Sequence, residues 1–541
     1  MTSFRALLAL ACLTVASPAL AQTVDAPAGK LKGTTTGAIN AYKGIPYAVP
    51  PVGNRRWQPP VPAPKWNGTR QATQFGAACI QPTSRGTSVY TPPKPLVTNE
   101  DCLTLNVWAP ADARNAPVFF WIHGGALVGG SSSEPTYDGQ KLAERGVIVV
   151  SINYRLGVLG WFAHPALSLE SAQKISGNYG LLDQVTALRW VHQNIGAFGG
   201  DPGNVTIAGE SAGGLSVLYL MASPAARGLF QKAIAQSAYM IAMPEVKNSV
   251  FGFPSGEAAG EMVQAGLQAK NLADLRNIDA QTITDKAAGM GFQPWGMVDG
   301  YVLPRQMVTA FDEGKQAPVP VLAGFNQGEI RSLMMLAPKP SASAEEYEAT
   351  IRKNYGDLAD AFLKLYPAAD YKESILLTTR DSLYGWTAER LARKQAAIGQ
   401  PAFMYMWDHG YPAMDGAGLH AFHASEIPYM FGTFDGVGAQ WPKIPETAEE
   451  QGLSDAMIGY WTSFAMTGVP RAANAPDWPA FGAERNVMHF AAAPVPVKDF
   501  MPGMFQLNEE VMCRRKATGK VPWHWNVGLM SPPLPPKAAG C

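Results

Sequence analysis

A serine flanked by glycines carries the clearest chemical signal in the sequence. The segment Gly209-Glu210-Ser211-Ala212-Gly213 follows the apolar run Val205 to Ala208 and leads into small residues that suit the start of a helix. In a G-x-S-x-G turn between a strand and a helix, the serine adopts a strained backbone and projects its hydroxyl, while the glycines avoid clashes. Because the same pentapeptide also occurs as a plain turn, the preceding strand pattern is what predicts Ser211 to be a nucleophile.

A second glycine-rich segment follows another apolar run. Residues Val118 to Ile122 lead into a His-Gly-Gly-Ala sequence at positions 123–126. The backbone N–H groups of Gly124, Gly125 and Ala126, with that of Ala212, are candidate donors for an oxyanion hole. Removing one such donor typically raises the reaction barrier by about 3 kcal/mol. The alternative interpretation is a glycine-rich strand exit without a donor role.

The elements that must position these segments are legible in the hydrophobic pattern. Near-continuous apolar runs at Pro117 to Ile122 and Gly146 to Ile152 predict parallel strands that are covered on both faces. Between Leu181 and Ile195, apolar residues recur at helical spacing, and the turn Gly199 to Pro202 separates this helix from the strand that begins at Val205. This alternation predicts a wound, mostly parallel sheet with helices on its faces.

A late helix also has recognisable ends. Ser454 is a candidate N-cap, and Gly468 with Pro470 is expected to stop the helix. Met457, Trp461 and Phe464 follow one face of it. We interpret this helix as core packing.

Composition excludes several classes of function. The chain has 541 residues, of which 47% are hydrophobic and 16% charged, as expected of a folded globular protein. Lys plus Arg equals Asp plus Glu at 43 each, so no net positive field favours nucleic acid. No apolar run beyond the N-terminus is long enough to span a bilayer, and no repeat divides the chain. We expect no nucleic-acid partner, no stable membrane insertion and one domain over residues 22–541; the oligomeric state is left open.

The N-terminus has the order of features found in export signals. Arg5 precedes an apolar stretch from Ala6 to Val15, and Ala19-Leu20-Ala21 resembles a small-x-small cleavage site. The alternative is a buried N-terminal helix. We predict a signal peptide over residues 1–21, a mature chain beginning at Gln22, and a secreted or periplasmic location.

Removing the signal leaves an even number of cysteines in an oxidising compartment. These are Cys79, Cys102, Cys513 and Cys541, and four cysteines allow three pairings. Sequence proximity favours Cys79 with Cys102 and Cys513 with Cys541, and neither pair has the spacing of metal ligands. Free buried thiols are the alternative.

Several further motifs give the chain a family resemblance over nearly its whole mature length. It resembles the type B carboxylesterase/lipase family, which also contains the cholinesterases. The segments that carry the resemblance are Gly44 to Ala48, Pro50 to Gly53, Glu100 to Asn106, His123 to Gly125, Asn153 to Arg155, Gly177 to Gln184 and Phe198 to Pro202. The resemblance implies an α/β-hydrolase fold, with a mostly parallel central sheet flanked by helices, and ester hydrolysis without a metal or organic cofactor.

The resemblance also implies the partners of Ser211. In this family the triad order is Ser, Glu, His, which assigns the acid to Glu329 and the base to His423. A weak serine nucleophile needs such a histidine, oriented by a carboxylate. Among eight histidines, His420 is the alternative base, and Asp408 is the alternative acid.

Other charged residues receive structural roles from the resemblance. Arg56 with Glu100, and Arg155 with Asp183, resemble the internal ion pairs of the family. Such pairs set geometry more than they add stability, because their charges are costly to desolvate. Glu210, next to the nucleophile, is interpreted as a supporting residue and not as the triad acid.

Two departures from the family pattern bear on substrate. Ala126 stands where the family usually has a third glycine, and its Cβ would crowd the loop if the backbone needs a positive φ. The segment between Cys79 and Cys102 contains no tryptophan, and Tyr90 is its only aromatic residue. Because cholinesterases bind cations on a tryptophan in this loop, choline esters are poor candidates.

These observations favour a secreted serine carboxylesterase that acts on a small-molecule ester. One alternative is an esterase for bulky polycarboxylate esters such as fumonisin, which releases tricarballylate; Arg331 is a candidate for holding its anionic acyl group. A lipase would require an exposed apolar lid. A noncatalytic adhesion protein is the alternative of another class, against which the intact Ser, Glu and His argue.

Overall fold

The computed structural model describes residues 22–84, 86–524 and 526–541, so the predicted signal peptide at 1–21 lies outside the described residues. Within these ranges the fold is organised by a central sheet of eleven strands. In chain order they are β1 (Thr34–Thr36), β2 (Ile39–Pro46), β3 (Thr104–Pro110), β4 (Ala116–Ile122), β5 (Ile148–Ile152), β6 (Gly200–Glu210), β7 (Lys232–Gln236), β8 (Val321–Asn326), β9 (Ala402–Trp407), β10 (Asn486–Phe490) and β11 (Pro494–Lys498).

The central strands run parallel, and both edges are antiparallel. Along the sheet the order is β11, β10, β9, β8, β7, β6, β4, β5, β3, β2, β1. Each neighbouring pair from β10 to β5 is parallel. Antiparallel pairing occurs between β11 and β10, between β5 and β3, and on through β2 to β1. A small sheet (Thr23–Ala26, Gly29–Lys32, Thr69–Gln71) and a two-residue pairing (Ala78–Cys79, Thr98–Asn99) lie outside it.

Four helices matter most for the site. They are α1 (Tyr179–Asn194), α2 (Ala212–Ala222), α3 (Trp386–Ala397) and α4 (Ala448–Thr467). The other α-helices of the described residues are Gln140–Ala143, Gly157–Trp161, Pro165–Glu170, Gly256–Gly266, Leu272–Asn277, Ala280–Gly289, Met307–Asp312, Ala344–Tyr355, Ala359–Leu365, Tyr371–Arg380, Pro412–Gly416, Ile427–Phe431 and Met504–Thr518.

The apolar runs are explained by burial on both faces of the sheet. In β4, Val118 and Phe120 pack into one core with residues of α1, α2 and α3, while Phe119 and Trp121 pack into a second core with residues of α4. Parallel strands covered by helices on both sides lose the alternation of polar and apolar residues. The prediction of a mostly parallel sheet flanked by helices is therefore confirmed.

Some predicted boundaries are wrong, and the reasons are physical. The late helix begins after Thr447, whose side chain accepts from Glu450 N, so Ser454 is an interior residue and not the N-cap. The Ser454 hydroxyl instead donates to the carbonyl of Tyr429 at 2.7 Å. The predicted turn at 199–202 overlaps the start of β6, because Gly200 already pairs with Ala116 before a register shift. Gly468 ends the late helix as expected.

Four cysteines lie at disulfide distance in two pairs. The sulfurs of Cys79 and Cys102 are 2.01 Å apart, and those of Cys513 and Cys541 are 2.10 Å apart. This is the pairing that sequence proximity favours. Among the described residues, no helix combines the length and apolar character needed to cross a bilayer.

The two ion pairs implied by the family resemblance are present. Arg56 Nε lies 2.6 Å from Glu100, and Arg155 Nη2 lies 2.7 Å from Asp183. Asp183 is fully buried on α1 and also accepts from the backbone N–H of Arg155 at 3.0 Å. The first pair joins two loops, and the second joins the segment after β5 to α1; the hydrogen bonds of both lie outside the cluster around Ser211.

Candidate active site

The parallel sheet brings the chemically important segments to one edge. Ser211 directly follows β6, and position 123 directly follows β4. Glu329 comes three residues after β8. Since the carboxyl ends of parallel strands meet at the same edge, residues far apart in sequence become neighbours there.

Ser211 occupies a strained turn between β6 and α2. Its backbone has φ 58° and ψ −122°, a conformation that non-glycine residues rarely adopt. A Cβ at Gly209 would press on the backbone of Gly213, and a Cβ at Gly213 would run into the carbonyl oxygen of Ile122. The Ser211 N–H donates to the carbonyl of Gln236 at 3.0 Å, which ties the turn to β7. Both glycines are therefore required by packing, and the side chain of Ser211 is only partly buried.

His423 and Glu329 form a buried hydrogen-bonded pair. The Nδ1 atom of His423 bonds to Oε2 of Glu329, and Oε1 of Glu329 accepts from the backbone N–H of Asn326 at 2.8 Å. The loops that carry them are joined by a hydrogen bond from Gly328 N to the carbonyl of Ala421 at 2.9 Å. This arrangement fixes the imidazole ring and leaves Nε2 as the nitrogen available for proton transfer.

The Nε2 atom of His423 lies against Glu210. Its distance to Oε1 of Glu210 is 3.1 Å. Within the described part of the chain, no hydrogen bond joins this nitrogen to the hydroxyl of Ser211. Catalytic hydrogen bonds are often loose or absent before substrate binds, so this geometry is compatible with His423 acting on Ser211. Glu210 is thus in direct contact with the candidate base.

Burial and charge shift the protonation of this cluster. Burial raises the pKa of Glu210 to about 8, although the charge of His423 opposes the shift. Burial lowers the pKa of His423, but the carboxylates of Glu210 and Glu329 raise it more, to about 9. Burial likewise raises the pKa of Glu426 to about 7, against hydrogen bonds that include one from Asn326. The cluster therefore holds protons at a pH where isolated side chains of the same types would lose them.

The glycine-rich loop after β4 packs directly on the Ser211 turn. A Cβ at Gly124 would lie 2.9 Å from the carbonyl oxygen of Glu210 and 3.2 Å from Cβ of Ser211. Ala126 has φ 55°, so the positive φ considered for this position is present. None of the amides of Gly124, Gly125 and Ala126 donates to another described residue. Ala212 is the first residue of α2, where the N–H has no partner within the helix.

Tyr90 connects the first disulfide loop to the site. Its hydroxyl donates to the carbonyl of His423 at 3.0 Å and lies 2.5 Å from the hydroxyl of Ser332. The rings of Tyr90 and His423 meet edge to face at 6.3 Å. The aromatic residue between Cys79 and Cys102 therefore supports the histidine.

The alternative base and the alternative acid are bonded to each other. His420 Nε2 lies 2.9 Å from Asp408, and its Nδ1 lies 2.7 Å from Asp415. The second oxygen of Asp408 bonds to His489 at 2.8 Å. Both ring nitrogens of His420 are thus engaged with carboxylates, which disfavours it as the base for Ser211.

Arg331, the candidate for holding an anionic acyl group, lies in an ion pair. Arg331 bonds to Glu373 at 2.7 Å, with both side chains partly exposed. Its charge is already paired in this structure. Across the described residues, no group of three His, Cys, Asp or Glu side chains is arranged to hold a metal ion.

Several residues of the site were not found from the sequence. Glu426 accepts from Gln236 Nε2 at 3.0 Å and from Asn326 Nδ2 at 2.6 Å, which closes a buried network behind His423. The spacing of Glu426, three residues after His423, was the available signal. Tyr384 packs its ring on His423 at 5.3 Å, and Tyr239 packs on Tyr384 at 5.9 Å. No sequence pattern marks these two tyrosines.

Curated relatives extend over most of the chain. The Fumonisin B1 esterase of Sphingopyxis macrogoltabida is 36% identical over 509 residues, which cover 88% of this chain and 89% of the relative. The para-nitrobenzyl esterase of Bacillus subtilis is 38% identical over 481 residues, covering 86% of this chain and 93% of the relative. Homologues of this kind establish carboxylic ester hydrolysis as the activity.

Solved structures give the same result for the fold. A PNB esterase structure aligns with a TM-score of 0.77 and 35% identity over 90% of this chain and 99% of that chain. A Geobacillus stearothermophilus carboxylesterase aligns with a TM-score of 0.74 and 33% identity over 92% of this chain and 100% of that chain. The fold is the α/β-hydrolase fold. The family model described as the carboxylesterase family matches residues 20–504, and the chain belongs to that family.

Proposed function

We propose that this protein is a secreted serine carboxylesterase whose nucleophile, base and acid are Ser211, His423 and Glu329. The observation that carries this proposal is the buried hydrogen bond between His423 Nδ1 and Glu329 at the edge of the sheet where the Ser211 turn lies. The contact between His423 Nε2 and Glu210, the residue before Ser211, supports the placement of that nitrogen beside the nucleophile.

In this mechanism His423 moves protons while Ser211 forms the covalent bond. Nε2 of His423 accepts the proton of the Ser211 hydroxyl as its oxygen attacks the ester carbonyl. The protonated imidazole then returns that proton to the departing alcohol, which leaves an acyl-enzyme. Water, deprotonated by the same nitrogen, releases the acid. Glu329 stabilises the imidazolium in both halves of the cycle.

The negative charge that develops on the carbonyl oxygen needs donors. We assign this role to the amides of Gly124, Gly125, Ala126 and Ala212. Three of these amides are on the loop that packs against the Ser211 turn, and the fourth begins α2. Amides without internal partners are suited to this task because they need not break a bond when the oxyanion forms.

Export and domain organisation are part of the same proposal. The charged and apolar pattern of residues 1–21 supports cleavage before Gln22. The pairing of Cys79 with Cys102 and of Cys513 with Cys541 suits an oxidising compartment such as the periplasm or the medium. Residues 22–541 would then fold as one catalytic domain.

Small neutral esters are the substrates that the site favours. The identity with a Fumonisin B1 esterase supports a polycarboxylate ester as a second candidate. Such an acyl group would need unpaired cations, and Arg331 is already bonded to Glu373. When His423 is neutral, as a base must be, the buried carboxylate of Glu329 would repel additional negative charge close to Ser211.

Replacing the proposed catalytic residues tests the assignment. Ser211→Ala removes the nucleophilic oxygen and little packing, so we expect hydrolysis of a chromogenic acetate ester to fall by at least about 1,000-fold. His423→Ala should fall to a similar level, because members of a triad act as a unit. The matched control is His420→Ala, which should retain most of its activity.

Protein folding is checked for each variant by circular dichroism and thermal unfolding. Near-normal turnover by folded Ser211→Ala would rule out the proposed nucleophile. If His420→Ala were inactive and His423→Ala active, the base would be His420.

A further inference from the structure

Two tyrosines beside His423 have hydroxyl groups without a known task. Tyr384 packs its ring on His423 with 5.3 Å between centroids, and Tyr239 meets Tyr384 edge to face at 5.9 Å. Tyr239 lies three residues beyond Gln236, whose carbonyl accepts the N–H of Ser211. Both tyrosines are therefore neighbours of the groups that would surround a scissile ester.

Their side chains are deeply buried, yet their oxygens are not enclosed. Tyr384 is 3% exposed and Tyr239 is 9% exposed. Neither hydroxyl bonds to another residue in the described ranges. Neither hydroxyl oxygen is completely enclosed by protein atoms, so each borders open space. Because each hydroxyl borders open space, it can donate a hydrogen bond to an acceptor that occupies this space.

We propose that the hydroxyls of Tyr239 and Tyr384 donate hydrogen bonds to a neutral acceptor, such as a keto or second ester oxygen, carried by the substrate near its scissile bond. The inference rests on the proposed hydrolysis at Ser211, because only then does the reacting ester lie against His423. Tyrosine suits the task because its ring packs as an apolar wall while its hydroxyl offers one directed donor. The pair makes this site selective for esters that bear such an oxygen.

The charged groups around the two tyrosines favour a neutral acceptor. Burial, reinforced by the carboxylates of Glu329 and Glu210, holds the pKa of Tyr384 well above its usual range. Arg380, whose charge interacts with Glu329, is bonded to Asp381 at 2.7 Å and to Gln327. A substrate carboxylate at this position would lie close to the carboxylate of Glu329, and the two nearby cationic groups that the structure describes, His423 and Arg380, are already paired with Glu329 and Asp381.

Matched substrates isolate the contribution of the acceptor. In the acyl series, kcat/KM is measured for aryl esters of hexanoic acid, 5-oxohexanoic acid and glutaric acid, which carry respectively no acceptor, a keto group and a carboxylate. In the alcohol series, acetates of a keto alcohol and of the corresponding plain alcohol are followed by acid release. Spontaneous hydrolysis is subtracted in both series.

The selectivity ratio is the rate constant for the keto ester divided by that for the plain ester. In at least one series we expect the wild-type selectivity ratio to be about 10. In the acyl series we expect the carboxylate ester to react more slowly than the keto ester. Tyr384→Phe and Tyr239→Phe each lower the ratio by about fivefold, since each removes one neutral hydrogen bond while keeping the ring. The control is Tyr301→Phe, on a side chain that is 57% exposed, which leaves the ratio unchanged.

The outcomes separate this inference from the proposed function. If the wild-type protein hydrolyses the plain and keto esters equally in both series, or if neither tyrosine variant changes the ratio, the inference is wrong and the esterase assignment stands. A preference for the carboxylate ester would also overturn it. If no ester in the panel is hydrolysed, the proposed function itself fails, and the inference fails with it. Thermal unfolding confirms that the variants are folded.

Discussion

At the scale of single residues, the charge around His423 decides when this histidine can act as a base. Glu210 and Glu329 contact its two ring nitrogens, and Glu426 lies close enough to add to their effect. A base must be neutral to accept a proton. Because the carboxylates raise the pKa of His423 to about 9, its neutral form increases as pH rises from neutral to alkaline.

Glu210→Gln tests this electrostatic account. The substitution keeps the size of the side chain and removes a charge that raises the pKa of His423, so that pKa should fall toward the ordinary histidine value of about 6.5. The rising limb of kcat/KM against pH should therefore move to lower pH. The pH profile of hydrolysis is the measurement, with the wild-type protein alongside.

If the rising limb of kcat/KM against pH stays in place or moves to higher pH in folded Glu210→Gln, Glu210 does not raise the pKa of His423. Lys498→Gln is the control for removal of a charge, because this lysine pairs with Glu484 on the surface. Its profile should match that of the wild-type protein.

The residues with chemical roles differ in how well the sequence predicts them. Ser211 can be recognised from Gly209 and Gly213, which are both required sterically because a Cβ at either position would clash with backbone atoms. Tyr384 has no such mark. It lies in a π-helical turn, Asp381–Gly385, between the helix Tyr371–Arg380 and α3, and only the folded chain brings that turn to His423. Local patterns cannot report a contact of this kind.

At the scale of elements, the loop after β4 has an unusual backbone, with positive φ at two consecutive residues that are not glycine. Ala126 and the following Leu127 have φ 55° and 59°, although both carry a Cβ. Leu127 is fully buried, which anchors the loop, while Ala126 is exposed. The loop therefore holds a strained conformation that presents amides near the Ser211 turn.

Substitutions at Ala126 test the role of this loop. Ala126→Gly suits the positive φ and should keep most activity. Ala126→Val places a branched Cβ in that conformation, and acylation should slow by at least about tenfold, because the oxyanion forms in the transition state and not in the bound ester. Pre-steady-state kinetics with a chromogenic ester separates acylation from deacylation.

Normal acylation in folded Ala126→Val would place residue 126 outside the oxyanion hole. The candidate donors would then be Gly124, Gly125 and Ala212. Ala126→Gly serves as the matched control, since it changes the same position without adding bulk.

Elements buried on both faces were the easiest to predict. The runs that became β4 and β5 are apolar except for Ser151, because helices cover both sides of the sheet. The start of α4 was misplaced because Ser454 and Thr447 are both residues that suit an N-cap. Their difference arises from tertiary contacts, since Ser454 bonds to Tyr429 in a neighbouring helix. Sequence alone does not contain that contact.

At the scale of the whole molecule, the fold brings residues that are far apart in the sequence together at one edge of the sheet. The carboxyl ends of β4, β6, β7 and β8 supply, in turn, the candidate oxyanion loop, Ser211, Gln236 and the turn that holds Glu329. His423 arrives on a loop that is hydrogen bonded to that turn. The sheet could be predicted from hydrophobic pattern, whereas the assignment of Glu329 and His423 depended on family resemblance.

The proposed mechanism depends on one covalent bond, the ester that forms between an acyl group and Ser211. A fluorophosphonate that mimics the tetrahedral intermediate should label the protein once, and peptide mass analysis should locate the adduct on the peptide containing Ser211. Loss of ester hydrolysis should parallel labelling, and Ser211→Ala should take up no label. Complete labelling of another residue, or hydrolysis that persists in fully labelled protein, would contradict the claim that Ser211 is the nucleophile.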